Sequence, residues 1–234
     1  MKTLAFTILM ATGILSCMNE GSKTYTVKKL PVEEIVITGK GDSPQWKNAI
    51  ELVDFTYPWE SEKAPLTSFK ALHSNDWLYL FYQVKDENVQ VLVKANAKIE
   101  VIYSDRVEIF LRKNAAMAPY YGLELDPNGR IYDYEAELPR KFNDQWTWPT
   151  GQLIVKANRN PDGYSVEVAI GKESLKQLGL LNGSKIEAGL FRGECTELID
   201  GSELKIKWIS WITPDSKTPN FHIPSAFGML LLED

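Results

Sequence analysis

Cysteine, histidine and clusters of basic residues are scarce in this sequence. Only two cysteines and two histidines occur among its 234 residues, and neither Cys-x-x-Cys nor His-x-x-x-His, the usual zinc-binding spacings, is present. The Gly-x-Ser-x-Gly motif of many serine hydrolases is also absent. The net charge is −5 and no basic block is present, so nucleic acid is not expected as a partner.

Long apolar runs are also scarce, and the one that stands out lies at the start of the chain. Met1-Lys2 is followed by an apolar run from Leu4 to Leu15, which is too short to span a bilayer. It ends at Ser16-Cys17, which resembles a bacterial lipoprotein processing site. Residues 1–16 are therefore predicted to be a signal peptide, with Cys17 lipidated and the protein anchored in the bacterial cell envelope, at the outer membrane. The alternative is an ordinary secretory peptide in which the cysteine occurs by chance.

The residues after Cys17 divide into a tether and one domain. Residues 17–30 contain few large apolar side chains and are predicted to be a tether, with residues 31–234 forming the domain. With Cys17 lipidated, Cys195 has no partner, and no disulfide is expected.

The cleanest strand pattern occupies residues 105–111. Val107, Ile109 and Leu111 alternate with Arg106, Glu108 and Phe110, which predicts a strand with two different faces. The first face requires an apolar core. The second face combines two charges with a ring, so we expect it to lie towards solvent or a polar groove. Neighbouring segments can pair on both sides, which favours a central position in the sheet.

Other short strands are separated by turn signals along the chain. Apolar residues 77–84 form a buried-strand pattern, and Asn-Gly and Asp-Gly turns close hairpins at 126–129 and 160–163. Segments 89–93 and 99–103 are also predicted to be strands, and Lys172–Leu178 is predicted as the single short helix. The pattern favours an all-β, antiparallel β-sandwich of the immunoglobulin or jelly-roll type.

Three blocks of sequence resemble the family 9 carbohydrate-binding modules, and in particular their bacterial family 9-like relatives. They are Ser-Asp-Arg-Val-Glu-Ile-Phe-Leu ending at Leu111, Tyr120-Tyr-Gly-Leu-Glu-Leu-Asp-Pro-Asn-Gly129, and Trp211-Ile-Thr-Pro214 followed by Pro219-Asn-Phe-His-Ile-Pro-Ser-Ala-Phe-Gly228. The resemblance implies an oligo- or polysaccharide ligand and a non-catalytic role in a glycan-degradation or uptake system. It also implies that a structural calcium ion is possible, with Asp42, Asp86 and Asp126 as contributors.

The predicted sugar site combines aromatic and charged residues. Indole faces bind sugar C–H groups, whereas hydroxyls require directed hydrogen bonds. Trp146 and Trp148 lie in a polar loop and are candidate stacking rings, although they could equally form a lid over the core. Trp208 and Trp211 face opposite ways, and Trp211 is favoured because it occupies the resembling family's C-terminal position. The ligand-binding prediction comprises Trp211, Trp148, Trp146, Arg192, His222, Asp105 and Arg106.

The sequence also leaves two other functions open. A haem-binding redox domain would require axial ligands from His73, His222, Met117 or Met229. A glycoside hydrolase would require two carboxylates on one cleft wall. Asp105 and Glu108 lie on opposite faces of their strand. Glu124 and Asp126 share a face, but Asp126 starts a turn and is expected to cap it. No same-face carboxylate pair at glycosidase spacing is evident, so no enzymatic activity is expected.

Overall fold

The computed structural model describes residues 23–31, 34–199 and 203–234. The predicted signal peptide and Cys17 lie outside the described residues. The protein is mostly β, and none of the helices in the described ranges is long and apolar enough to cross a membrane. Twelve strands are described: β1 Thr24–Lys29, β2 Thr67–His73, β3 Trp77–Lys85, β4 Arg106–Arg112, β5 Tyr120–Leu125, β6 Ile131–Glu137, β7 Lys141–Asn143, β8 Leu153–Asn160, β9 Gly163–Gly171, β10 Lys185–Ile199, β11 Glu203–Ser210 and β12 Gly228–Leu232.

The strands form one curled sheet. Its order is β7-β6-β5-β4-β10-β12-β1-β2-β3-β9-β8, and β11 pairs with β10 beside this path. Strand β4 pairs with β5 on one side and β10 on the other, so its predicted central position is confirmed. Side chains from both halves of the sheet meet in a core that includes Val107, Ile109, Leu80 and Val168. The predicted core face of β4 is confirmed, because Val107, Ile109 and Leu111 are fully buried. Leu80, Val168, Leu190 and Leu230 are fully buried as well.

The sheet is mixed, which corrects the purely antiparallel prediction. Strand β1 runs parallel to both β12 and β2 and links the two halves of the sheet. This strand falls within residues 17–30, the predicted tether. Tyr25 and Val27 are buried on its inner side. Two alternating apolar residues among polar neighbours are too short a pattern to predict a strand from the sequence.

The predicted helix is confirmed as α1, Lys172–Gln177, with Leu178 as its C-cap. Gly179 follows at φ 69°, a left-handed conformation that suits glycine after a helix. Three short 3₁₀ helices are also described, at Pro44–Asn48, Lys98–Tyr103 and Pro224–Ala226.

Two predicted strands, 89–93 and 99–103, are wrong. Residues 98–103 form a 3₁₀ helix, and 89–93 lie outside any strand. The reason is that side chains replace strand partners in this segment. The backbone N–H of Gln90 donates to Asp105, that of Leu92 to Ser104, and that of Ala95 to Glu100. Each of these amides is therefore satisfied without a neighbouring strand.

The outer face of the sheet around β4 carries a second apolar cluster. It includes Phe110, Tyr120, Tyr134, Phe191 and Phe221. Segments from distant parts of the chain cover this face, and they position the candidate site.

Candidate functional site

The outer face of β4 forms the floor of a cavity of about 240 Å³. Arg106, Glu108 and Phe110 alternate along β4 and all line it, so the predicted polar groove on this face is confirmed. Glu124 joins them from β5, where it is the direct cross-strand partner of Glu108. The complete lining is Trp59, Arg106, Glu108, Phe110, Glu124, Arg140, Phe142, Trp208, Pro219, Asn220, Phe221 and His222.

Aromatic rings make up most of the cavity wall. Trp59 and Trp208 both pack against Phe221, with ring centroids 5.4 and 5.5 Å away. The Nε1–H of Trp59 donates to the Ser216 carbonyl at 2.8 Å, which fixes that ring. Both indoles remain partly exposed to solvent, so their surfaces can receive a ligand.

His222 forms the opposite wall. Its ring stacks on Phe110 at 5.0 Å, and its Nδ1 lies 2.9 Å from the hydroxyl of Tyr120. Burial, with a smaller contribution from the charge of Arg140, lowers the pKa of His222 to about 4. The ring is therefore neutral at physiological pH and offers hydrogen bonding without charge.

Arg106 links two carboxylates at the cavity floor. Its Nε lies 2.6 Å from Oε2 of Glu124 and 2.9 Å from Oε1 of Glu108. The N–H bond points at Glu124, so Glu108 Oε1 gains the attraction of the charge but accepts no aligned hydrogen bond. This oxygen is an acceptor that a ligand donor can satisfy.

The environment changes the protonation of these carboxylates. Burial, followed by the nearby charge of Glu124, raises the pKa of Glu108 to about 8 despite the opposing effect of Arg106. Burial also raises the pKa of Glu124. Two like charges so close together resist ionising simultaneously. At neutral pH, Glu108 is therefore mainly protonated, and Arg106 with Glu124 forms a compensated ion pair.

A glycine creates room for the arginine. Gly193 of β10 pairs with Arg106 on one side and with Trp208 on the other. A Cβ atom on Gly193 would lie 3.0 Å from Nη1 of Arg106 and 3.4 Å from the Trp208 ring. Without this side chain, the guanidinium approaches the indole, with Cζ 5.1 Å from the ring centroid.

The cavity mouth is framed by Phe142 of β7, by Arg140 in the turn before β7, and by Asn220 in the loop between β11 and β12. Phe142 is exposed and packs edge-on against His222 at 5.2 Å. The Nη2 group of Arg140 donates to Oδ1 of Asn220 at 2.9 Å, and the same oxygen accepts the backbone N–H of His222. Asn220 thus ties the Arg140 side chain to the loop that carries His222.

Of the seven residues predicted to bind ligand, Arg106 and His222 line this cavity. Trp211 does not: it packs into the inner core and is 8% exposed. It borders a separate groove beside β1. The structure therefore reverses the expected roles of the Trp208–Trp211 pair, because Trp208 faces the cavity and Trp211 faces the core.

Trp146 and Trp148 also lie outside the cavity. The indole N–H of Trp148 donates to Ser174 Oγ at 3.0 Å, and its backbone N–H donates to Asp133. Trp146 packs on Tyr121 at 4.9 Å. Their placement fits the alternative weighed above, a lid over one end of the core.

Arg192 and Asp105 are fully buried on the inner side. The Nη2 group of Arg192 lies 2.7 Å from Asp86. Both oxygens of Asp105 accept backbone N–H groups, from Gln90 and from Cys195. Cys195 is buried, and its thiol is free among the described residues.

Five residues that line the cavity were not among the predicted site residues: Trp59, Trp208, Glu108, Glu124 and Arg140. The alternation in β4 did place Glu108 on the same face as Arg106, and this pattern could have identified Glu108 as a site residue. Glu108 and Glu124 also form a same-face carboxylate pair across neighbouring strands, a pair that was not considered from the sequence.

The residues suggested for calcium do not converge. Asp42 accepts a hydrogen bond from Thr38, Asp86 pairs with Arg192, and Asp126 pairs with Arg130. Within the described ranges, no cluster of three or more His, Cys, Asp or Glu side chains is arranged to hold a metal ion. These residues do not fit a calcium site.

The candidate haem ligands are likewise separated. Only His222 lines the cavity, whereas Nε2 of His73 contacts the Glu233 carbonyl at 2.8 Å. Met117 is buried in the outer apolar cluster, and Met229 lies in β12. The four residues do not offer a pair of axial ligands in one cavity.

Comparisons with known proteins agree with the three-block resemblance. A carbohydrate-binding module of family 9 from Caldicellulosiruptor kristjanssonii, in complex with cellotriose, superposes with a TM-score of 0.57 at 19% identity, covering 90% of this chain and 93% of that one. The glucose complex from the same organism gives 0.56 at 20% identity, covering 90% and 95%. A protein of Bacteroides uniformis, provisionally described as carbohydrate-binding, gives 0.69 at 18% identity, covering 91% and 100%.

A search of curated proteins found no match. Residues 37–234 match the family described as carbohydrate family 9 binding domain-like. This match covers most of the chain and extends across β2 to β12, including every residue that lines the cavity. The chain belongs to the carbohydrate family 9 binding domain-like family.

Proposed function

We propose that the protein binds saccharides non-catalytically in the cavity on the outer face of β4. The observation that carries this proposal is the joint presence of partly exposed indoles, Trp59 and Trp208, and a buried Arg106–Glu108–Glu124 cluster in one cavity. Sugar rings present apolar C–H faces and polar edges, and this lining offers a matching surface for each. Two structural neighbours contain cellotriose and glucose.

The polar cluster is suited to hydroxyl recognition. Glu108 Oε1 lacks an aligned donor, and a sugar hydroxyl can supply one. Protonated Glu108 can donate in return, and the amide of Asn220 and the ring of His222 add neutral donors and acceptors at the rim. Buried groups of this kind discriminate strongly, because a ligand without the matching hydroxyl leaves them unpaired.

The carboxylate pair does not favour hydrolysis. In a glycosidase the two carboxyl groups flank the scissile bond. Here both contact the same Arg106 nitrogen within 2.9 Å, so the guanidinium occupies the space between them. We expect the purified protein to release no reducing sugar from a saccharide that it binds. Turnover abolished by Glu108→Gln or Glu124→Gln would contradict a purely binding role.

The cellular setting is a separate part of the proposal. The short apolar run ending at Ser16-Cys17 supports lipidation of Cys17 and attachment to the cell envelope, at the outer membrane. There the protein would hold glycan for a degradation or uptake system. Cys17→Ala should lose metabolic lipid labelling and leave the membrane fraction. Wild-type protein that is unlabelled and wholly soluble would contradict this part.

Calorimetric titration with glucose and cellotriose tests the binding site. Trp208→Ala removes one wall and should weaken binding by about 1–3 kcal/mol, or about 5- to 150-fold. Trp146→Ala is the matched control, because Trp146 is also partly buried but lies outside the cavity. Equal losses in the two variants, or no loss in Trp208→Ala, would show that the cavity is not the site.

A further inference from the structure

The charges in the cavity do not balance, and the excess lies at its mouth. The charged residues that line it are Arg106, Glu108, Glu124 and Arg140. Arg106 is paired with Glu124 at 2.6 Å. Glu108 has its pKa raised to about 8 by burial, so it is mostly neutral at pH 7, as is the ring of His222. Arg140 therefore contributes a positive charge that no other cavity residue compensates.

Arg140 also lacks an acidic partner elsewhere in the described ranges. Four of the six arginines there hold ion pairs with carboxylates: Arg106, Arg112, Arg130 and Arg192. Arg140 instead donates to the neutral amide oxygen of Asn220. Its remaining N–H groups are free to donate, and a guanidinium presents them as a planar fork that matches a carboxylate or sulfate.

The position of Arg140 directs this charge at a bound ligand. The residue is exposed at the mouth, yet its charge acts on the cavity wall, because it adds to the larger effect of burial in lowering the pKa of His222. Its backbone adopts φ 64°, a left-handed conformation that glycine or asparagine would adopt at lower cost. The backbone therefore gives no reason for an arginine here, whereas the cavity does.

We propose that the cavity selects a sugar residue carrying an anionic group, a uronic acid carboxylate or a sulfate ester, and that Arg140 is the residue that recognises this group. The inference rests on the proposed sugar site and adds the ligand class to it. The indoles and the Arg106 cluster would hold the ring and its hydroxyls, while the anionic substituent lies at the mouth. Arg140 is then a specificity-determining residue.

The test uses matched sugars that differ only at C6. The full chain is titrated with glucose, glucuronic acid and glucose 6-sulfate as methyl glycosides, and with the corresponding galactose and mannose series. At least one acidic sugar should bind about tenfold more tightly than its neutral counterpart, since hydrogen bonds to charged groups are the stronger ones. Comparing the affinities for the uronic acid and for the 6-sulfate of each sugar identifies which anionic group is preferred. Raising the salt concentration should reduce this preference.

Substitutions then assign the preference to a residue. Arg140→Gln should reduce the acidic-to-neutral affinity ratio to near one, and Arg140→Lys should restore part of it. Arg159→Gln is the control: Arg159 likewise forms no ion pair with a carboxylate of the described residues, but it lies on β8 and donates to the Val89 carbonyl. Arg159→Gln should leave the ratio unchanged.

The outcomes separate this inference from the proposed function. Trp208-dependent binding of a neutral sugar, with no acidic preference, would overturn the role of Arg140 and leave the sugar site intact. An acidic preference that survives Arg140→Gln would also overturn it. Failure of every sugar to bind would contradict both proposals.

Discussion

Trp208 and Trp211 are three positions apart and have opposite environments. Trp208 lies on the outer face, partly exposed beside the Arg106 guanidinium. Trp211 lies in the inner core, and a Cβ atom on its neighbour Gly228 would come within 2.7 Å of its ring. The same residue type therefore serves as a cavity wall in one place and as core packing in the other. The role of each tryptophan is therefore set by the face of the sheet on which it lies, and cannot be inferred from the residue type alone.

The largest expected effect concerns the core member of this pair. Trp211→Ala removes a buried indole and leaves a void, which should cost about 3–5 kcal/mol of unfolding free energy. Trp208→Ala should cost much less stability, because its ring is partly exposed. Denaturant unfolding of both variants measures the difference. If Trp211→Ala instead retains its stability and loses sugar affinity, the two roles have been assigned the wrong way round.

The two faces of β4 show what the sequence could predict. Alternation placed Val107, Ile109 and Leu111 in the core and put Arg106, Glu108 and Phe110 on a polar groove, and the structure confirms both. Side-chain direction in a strand follows from local geometry alone. For the same reason, the turns at Asn128-Gly129 and Asp162-Gly163 were correctly placed.

The remainder of the site depends on contacts between distant segments. Trp59, Arg140 and Asn220 come from three separate loops, and nothing local in each loop indicates that they meet. The contact between Glu108 and Glu124 depends on the register of β4 and β5, which residues 113–119 connect. A one-residue shift would have moved Glu124 to the other face. The parallel pairing of β1 is equally non-local, because β1 inserts between β2 and β12.

The charged cavity floor differs from the apolar core because it contains a buried carboxyl group, Glu108, which should make stability depend on pH. The folded pKa of Glu108 is about 8, above the ordinary value of 4.5. The folded state therefore retains a proton that the unfolded chain has lost, and stability falls as pH rises from about 4.5 to 8. Glu108→Gln should flatten this slope by up to about 1.4 kcal/mol per pH unit.

The measurement is clearest between pH 6.5 and 8. Below pH 6.5, His222 contributes a slope of the opposite sign. Because its pKa is lowered in the folded state, stability is lost as pH falls from 6.5 towards 4. Burial raises the pKa of Asp105 to about 7. The stability of Glu108→Gln should therefore still fall somewhat as pH rises towards 7. Denaturant unfolding at several pH values gives the two slopes. Identical slopes in the wild type and Glu108→Gln would show that Glu108 is ionised in the folded protein.

The smallest expected effect compares two tyrosine hydroxyls on opposite faces of the sheet. The hydroxyl of Tyr120 bonds His222 Nδ1 at 2.9 Å behind the cavity wall, and that of Tyr82 donates to the Glu108 carbonyl at 3.0 Å within the core. Each change to phenylalanine removes one hydrogen bond and should cost about 0.5–1.5 kcal/mol of stability. Only Tyr120→Phe releases a ring that lines the proposed sugar site, so it should weaken sugar binding about two- to fivefold, or under about 1 kcal/mol. Tyr82→Phe should bind as the wild type does. Equal affinities for the two variants in calorimetry would mean that the orientation of His222 does not matter for recognition.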